Sequence, residues 1–429
     1  MSDAPRSTGT DRQKTVYLAG GGNRLPRIST RATKLEEQAR GCMSAEAFAY
    51  VAGGAGEERT MAANRSAFDR WRIVPRYLRD VEHRDTGVEL FGTRLDSPFL
   101  LAPIGVLEMA HADADRAVAR AAAAAGVPFV FSNQASVPME EAAACMGDAT
   151  RWFQLYWSKS DDVVASFVRR AEACGCSAIV VTLDTTMLGW RPRDLDCGFL
   201  PFLRGQGIAQ YTSDPVFMAE AAARPAAPRP PEALLNLGTV AAGIAQARHV
   251  PGGTLANLAG GRARRAVQHF IETYSRPSLT WDDLAFLRAR TKLPILLKGV
   301  LHADDAKRAV DHGIDGVVVS NHGGRQVDGA IASLEALPAI VDAAGEHLKV
   351  LFDSGVRGGA DAFKAVALGA DAVCIGRPYA YALAIAGEAG VRELLANFKA
   401  DFDLTMGLAG CRSVEEVGRE SVVRDRAGG

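Results

Sequence analysis

Between Gly316 and Asp328 the chain passes from a β-branched run into Ser320-Asn321-His322-Gly323-Gly324-Arg325-Gln326. Here an imidazole able to move a proton near neutral pH lies three residues from a guanidinium able to hold a carboxylate by two parallel hydrogen bonds. The intervening glycines let backbone approach a ligand closely. His322 with Arg325 points to chemistry on a small acid. The plainer alternative is a loop-anchoring histidine beside a surface arginine; the paired Arg, the glycines and the strand end weigh against it. Asp184, after another apolar run, is a carboxylate suited to orient His322 and stabilise its imidazolium, or else a loop cap. Arg191, in Gly189-Trp190-Arg191-Pro192-Arg193, is a second guanidinium, with Asp194 and Asp196 as alternative ion-pair partners.

Groups so far apart in sequence need a scaffold that gathers them at one mouth. From Pro98 onward a unit recurs: a helix-length segment, a Gly, an apolar run and a polar residue, as in Gly175-Cys176-Ser177-Ala178-Ile179-Val180-Val181-Thr182. Each run reads as a strand buried on both faces. Candidate strands are Phe99–Ala102, Phe129–Phe131, Trp152–Tyr156, Ala178–Leu183, Ile295–Leu297, Gly316–Val319, Val350–Phe352 and Ala372–Ile375. This αβ repeat predicts an α/β fold: a single (β/α)8 TIM barrel over 31–429, with an N-terminal helical extension and a long inserted loop after strand 4. An open doubly wound sheet is the runner-up, but no G-x-G-x-x-G follows the first strand.

Residues 1 to about 30 read as a flexible extension, with Gly20, Gly21 and Gly22 preventing any regular element. Ser44 reads as the N-cap of a helix to Ala52 that carries Tyr50 on its last turn. The insertion, 184–280, is rich in Ala, Pro and Gly, notably Ala222 to Pro231, and is expected to be lid-like or disordered. Regular structure is expected to resume at the Thr280-Trp281-Asp282-Asp283 cap.

The strand ends offer Pro103-Ile104-Gly105, Ser132, Gln154, Tyr156, Thr182, Lys298, Ser320, Asp353-Ser354-Gly355-Val356-Arg357 and Gly376-Arg377. Arg357 and Arg377, with the glycines beside them on consecutive strands, suit a phosphate. Asp353 suits ligand hydroxyls, the amide and hydroxyl side chains suit the polar edge of a flat ring, and Lys298 suits a site that becomes negative. Phosphate, polyol and such a ring together describe flavin mononucleotide, FMN.

The chain has 429 residues, 48% of them hydrophobic and 23% charged, with a formal net charge of -1. That near balance gives no reason to expect nucleic acid or an anionic membrane as a partner. Seven cysteines without a C-x-x-C pair or metal-ligand spacing, a polar start without a signal-peptide core, and no long apolar run are the signs of a cytoplasmic protein.

These motifs, from about Ala47 to Arg419, resemble the FMN-dependent α-hydroxy-acid oxidising family, which includes glycolate and lactate oxidases. The match rests on Tyr50 before Gly53-Gly54, Phe153-Gln154-Leu155-Tyr156, Thr182-Leu183-Asp184-Thr185, Lys298-Gly299-Val300, the His322 run and both Gly-Arg sites, in family order. The resemblance implies His322 as catalytic base, Asp184 as its partner, and Tyr156 and Lys298 beside them. It implies Arg191 and Arg325 on the substrate carboxylate, with Tyr50 and Tyr156 touching carboxylate and hydroxyl. FMN would be held by the backbone of Pro103, Ile104 and Gly105, and by Ser132, Gln154, Thr182, Lys298, Ser320, Asp353, Gly355, Arg357, Gly376 and Arg377.

The implied partners are a small L-2-hydroxy acid and molecular oxygen, and the implied assembly is a homotetramer or larger homo-oligomer. Leu188 to Asp196, Leu200 to Gly205, the long fourth loop and Gly105 are most similar to the lactate 2-monooxygenase branch, in which retained keto acid is oxidatively decarboxylated. A dehydrogenase with another acceptor, an FMN-barrel isomerase and an inactive flavin-binding scaffold are the alternatives. Two departures stand out: Gln134 where glycolate oxidase has an aromatic residue, and Ser354 where Gly is common.

Overall fold

The apolar runs form eight parallel strands: β1 (Phe99–Leu101), β2 (Phe129–Phe131), β3 (Arg151–Leu155), β4 (Ile179–Thr182), β5 (Ile295–Val300), β6 (Gly316–Val319), β7 (Lys349–Phe352) and β8 (Ala372–Ile375). The computed structural model describes residues 8–224 and 237–425. Each strand pairs with the next in sequence, and β8 pairs with β1, closing a (β/α)8 barrel. The strands match the expected runs to within a residue or so, except that β5 continues to Val300.

Side chains alternate across a strand, which divides the core in two. Leu100, Val130, Trp152, Val180, Leu296, Val318, Leu351 and Cys374 fill the barrel interior together with Val88, Leu90 and Leu95 from a hairpin. The residues between them, such as Phe99, Phe131, Phe153, Val181 and Phe352, pack outward against the helices. Both faces being covered, the strands read as unbroken apolar runs rather than alternating ones. Phe99, for example, meets Phe398 and Phe402 of the helix Arg377–Ala409 edge-on at 5.8 and 5.7 Å.

Two expectations are corrected. The segment before residue 30 is not devoid of regular structure: Gly9–Gly21 is a helix. The side chains of Thr8 and Asp11 cap its first turn reciprocally, and Gly9 N–H donates to Asp403 Oδ2 at 2.8 Å on the helix Arg377–Ala409. Gly20 to Gly22 end this helix rather than preventing it.

The insertion is also helical well before Thr280. Its helices include Pro215–Ala223, Leu237–His249 and Arg262–Thr273. Phe202, Tyr211, Phe217 and Phe270 form a buried aromatic cluster, and Tyr211 lies edge-on to Phe167 of the barrel helix Asp161–Ala173 at 5.0 Å. Each buried Phe of this kind stabilises the packing by roughly 1.5–3 kcal/mol. Most of the Ala222–Pro231 stretch lies outside the described residues. The Thr280 cap is present, with the Asp283 carboxylate accepting from Thr280 N at 2.7 Å.

Candidate active site

The C-terminal ends of β1 to β8 open into one cavity of about 1070 Å³, its mouth included. Its lining brings together Tyr50, Pro103, Ile104, Gly105, Tyr156, Arg191, Lys298, His322, Arg325, Asp353, Gly355, Arg357, Gly376 and Arg377. Asp184, Ser132, Gln154, Thr182 and Ser320 do not line it and lie behind the lining residues. There Ser132 Oγ donates to Gln154 Oε1 at 3.1 Å, and Gln154 Nε2 donates to Thr182 Oγ1 at 2.9 Å. This relay crosses β2, β3 and β4 because strand pairing sets their ends side by side.

His322 follows β6 in a single tight turn, with φ at +59°. Its Nδ1 lies 2.8 Å from Asp184 Oδ1. A nitrogen facing a carboxylate carries the proton, which leaves Nε2 as the basic atom. Asp184 is held down to about 2: burial works against ionisation but His322 and Lys298 outweigh it. His322 is pushed below its ordinary value by burial and by the positive charges of Lys298 and Arg191, against the pull of Asp184. The imidazole is therefore a neutral proton acceptor at rest, backed by an ionised carboxylate. Gly299 makes this contact possible, since a Cβ there would stand 2.8 Å from Asp184 Cβ.

Lys298 Nζ is 3.2 Å from Asp353 Oδ2 and donates to Ser320 Oγ at 2.9 Å. Burial disfavours its charge, but Asp353 and Asp184 more than offset that and raise its pKa. Tyr156 is pushed up to about 12 by burial and by Asp184, so its phenol stays a donor.

The arginines are arranged differently. Arg325 donates to the carbonyls of Tyr50 and Gly53 at 2.5 and 2.8 Å, and Arg191 to Arg325 O at 3.1 Å and Gln326 Oε1 at 2.7 Å. Arg377 donates to Val51 O, Gly323 O and Gly53 O, and Arg357 to Val356 O. Among the described residues none of the four forms an ion pair with a carboxylate, so Arg191 pairs with neither Asp194 nor Asp196. Burial and neighbouring guanidiniums push Arg325 and Arg357 below their ordinary range, and burial does the same to Arg377. Buried positive charge without a counter-ion is costly, and a bound anion relieves the cost. Arg357 and Arg377 at the ends of β7 and β8 fit a phosphate, and Arg191 and Arg325 beside His322 fit a carboxylate. The donor set thus fits FMN together with a small acid.

The insertion contributes Thr185, Leu188, Phe202 and Tyr274 to the lining, and of these Tyr274 lies in no motif read from the sequence. Tyr274 caps the helix Arg262–Thr273, whose apolar positions Ala263, Ala266, Val267 and Phe270 recur with helical spacing. That spacing was the available signal.

Fold and site together define a flavin-dependent barrel acting on an acid. Residues 39–424 match the family described as FMN-dependent dehydrogenase, and the chain belongs to it. It is 43% identical over 413 residues to the FMN-dependent alpha-hydroxy acid dehydrogenase qulF of Penicillium citrinum, covering 96% of this chain and 95% of that one. It is 40% identical to an L-lactate oxidase of Lysinibacillus sphaericus, with 88% of each chain covered. It is 39% identical to the glycolate oxidase of Spinacia oleracea, with 88% and 90% covered. A crystal structure of mandelate oxidase with (S)-4-hydroxymandelic acid superposes with a TM-score of 0.76 at 37% identity, covering 92% of this chain and 99% of the other. The chain is an FMN-dependent α-hydroxy-acid oxidoreductase. No helix among the described residues is long and apolar enough to cross a membrane.

Proposed function

We propose that this chain oxidises a small, lactate-like L-2-hydroxy acid to the 2-keto acid, with molecular oxygen as the final acceptor. The observation that carries the reading is the His322 Nδ1 to Asp184 Oδ1 contact of 2.8 Å, which leaves Nε2 free beside two guanidiniums that lack a carboxylate partner. Arg191 and Arg325 take the substrate carboxylate, and Tyr50 and Tyr156 contact the carboxylate and the hydroxyl. His322 Nε2 accepts a proton from the substrate, and Asp184 stabilises the resulting imidazolium. Bound FMN supplies the two-electron acceptor. It would be held by the backbone of Pro103 to Gly105, by Asp353 and Gly355, and at its phosphate by Arg357, Gly376 and Arg377, with Ser132, Gln154, Thr182 and Ser320 behind the lining as the further donors expected for its ring. Lys298 places positive charge where negative charge develops.

A second reading, oxidative decarboxylation before the product leaves, is favoured by Leu188, Phe202 and Tyr274, through which the insertion lines the cavity. A cytoplasmic homo-oligomer completes the proposal, with sedimentation as its check.

The test is anaerobic mixing of the purified protein with L-lactate and larger L-2-hydroxy acids, following flavin bleaching, then admission of air. Keto acid with hydrogen peroxide supports the oxidase reading, and carbon dioxide without peroxide supports decarboxylation. Bleaching that air barely reverses makes the acceptor something other than oxygen. No bleaching by any acid contradicts the proposal.

A further inference from the structure

We propose that Ser354 is a positioning residue that fixes the backbone turn carrying His322 and ties that turn to the Lys298–Asp353 pair. Ser354 adopts φ +81°, a conformation that disfavours any residue with a Cβ. Compensating contacts must hold it there.

Those contacts use the full capacity of its hydroxyl, two acceptor sites and one donor. Ser354 Oγ accepts from Asn321 N at 3.3 Å and from Gly323 N at 3.0 Å, the two amides that flank His322. It donates to Asp353 Oδ1 at 2.7 Å. The amide between them, His322 N, donates to Ser320 Oγ at 3.0 Å. Ser320 also accepts from Lys298, and Lys298 pairs with Asp353. Three successive amides of the turn thus end on two hydroxyls, and the chain of contacts closes into a ring through Lys298.

His322 itself sits at φ +59°, an unfavourable value that these bonds maintain. Without the Ser354 hydroxyl, Asn321 N and Gly323 N lose that acceptor in a largely buried site. The turn then relaxes, and the imidazole shifts relative to Asp184 and the cavity. Glycine at this position would suit the backbone better, so the serine is explained by its hydroxyl.

The inference rests on His322 acting as the base. Ser354→Gly and Ser354→Ala separate hydroxyl from strain, because both delete the hydroxyl and only the glycine relieves φ +81°. For each holoenzyme, FMN content, Tm, the anaerobic rate of flavin reduction by the best substrate of the panel, and the Kd of a non-reducing 2-keto acid read from flavin absorbance are measured. The expected result is full FMN, a higher Tm for Ser354→Gly than for Ser354→Ala, and reduction slowed by about tenfold to a hundredfold in both. The Kd is expected to stay within about threefold, since Arg191 and Arg325 are untouched. Reduction rates that follow Tm, rates equal to wild type, or loss of FMN overturn the proposal. A wild-type protein that no acid bleaches overturns the reading of His322 and the positioning role with it. A normally bleached wild type with undiminished variants overturns the positioning role alone.

Discussion

His322 and His249 each lie against a carboxylate at nearly the same distance, 2.8 Å to Asp184 and 2.7 Å to Glu108, yet their proton affinities move in opposite directions. His249 ends the insertion helix Leu237–His249, with Nδ1 at 2.7 Å from Ala245 O and Nε2 on Glu108. Both ring nitrogens meet acceptors, and the helix C-terminus favours positive charge. The hydrogen bond with Glu108 raises its pKa although burial opposes it. His322 has an acceptor at only one nitrogen and is buried among positive charges. A carboxylate neighbour alone therefore does not mark a base. A free second nitrogen and surroundings that keep the imidazole neutral do.

Deletion of the imidazole separates the two histidines most widely. His322→Ala is expected to lower anaerobic flavin reduction by about a thousandfold or more with FMN still bound, as stopped-flow absorbance will show. Asp184→Asn leaves a neutral partner that no longer stabilises the imidazolium, and is expected to cost about a hundredfold in the same assay. Arg325→Lys keeps charge but loses the planar fork. It should weaken keto-acid binding by about tenfold, read as Kd from flavin absorbance.

His249→Gln should leave reduction unchanged and cost about 1 kcal/mol of stability. Because the folded pKa of His249 is raised above 6.5, its contribution is full below that pH and fades as pH rises through the folded value. The stability difference between variant and wild type should therefore be larger in denaturant titrations at pH 6 than at pH 9.

Much of the barrel was legible because each strand is an apolar run covered on both faces and each strand end carries its polar residue in place. The His322 run and Asp184 could be paired in advance because barrel strand ends converge. The helices of the insertion were missed because its Ala, Pro and Gly content masked the helical spacing of Arg262–Thr273. With them went the places of Phe202 and Tyr274 in the cavity lining. The first helix was missed because Gly20 to Gly22 were weighed as breakers, while the Thr8 and Asp11 cap was passed over. Ser354 stood out only as a departure, since its role lies in a φ value and three hydrogen bonds that no local pattern encodes.

The most direct test of the account is the pH dependence of the second-order rate of anaerobic flavin reduction at low substrate, which reports groups of the free enzyme. With the His322 pKa held below 6.5, the rate should stay level from neutral pH down past that value and fall only at more acidic pH. A fall centred at or above pH 6.5, or an acid limb that persists in His322→Ala, would contradict it.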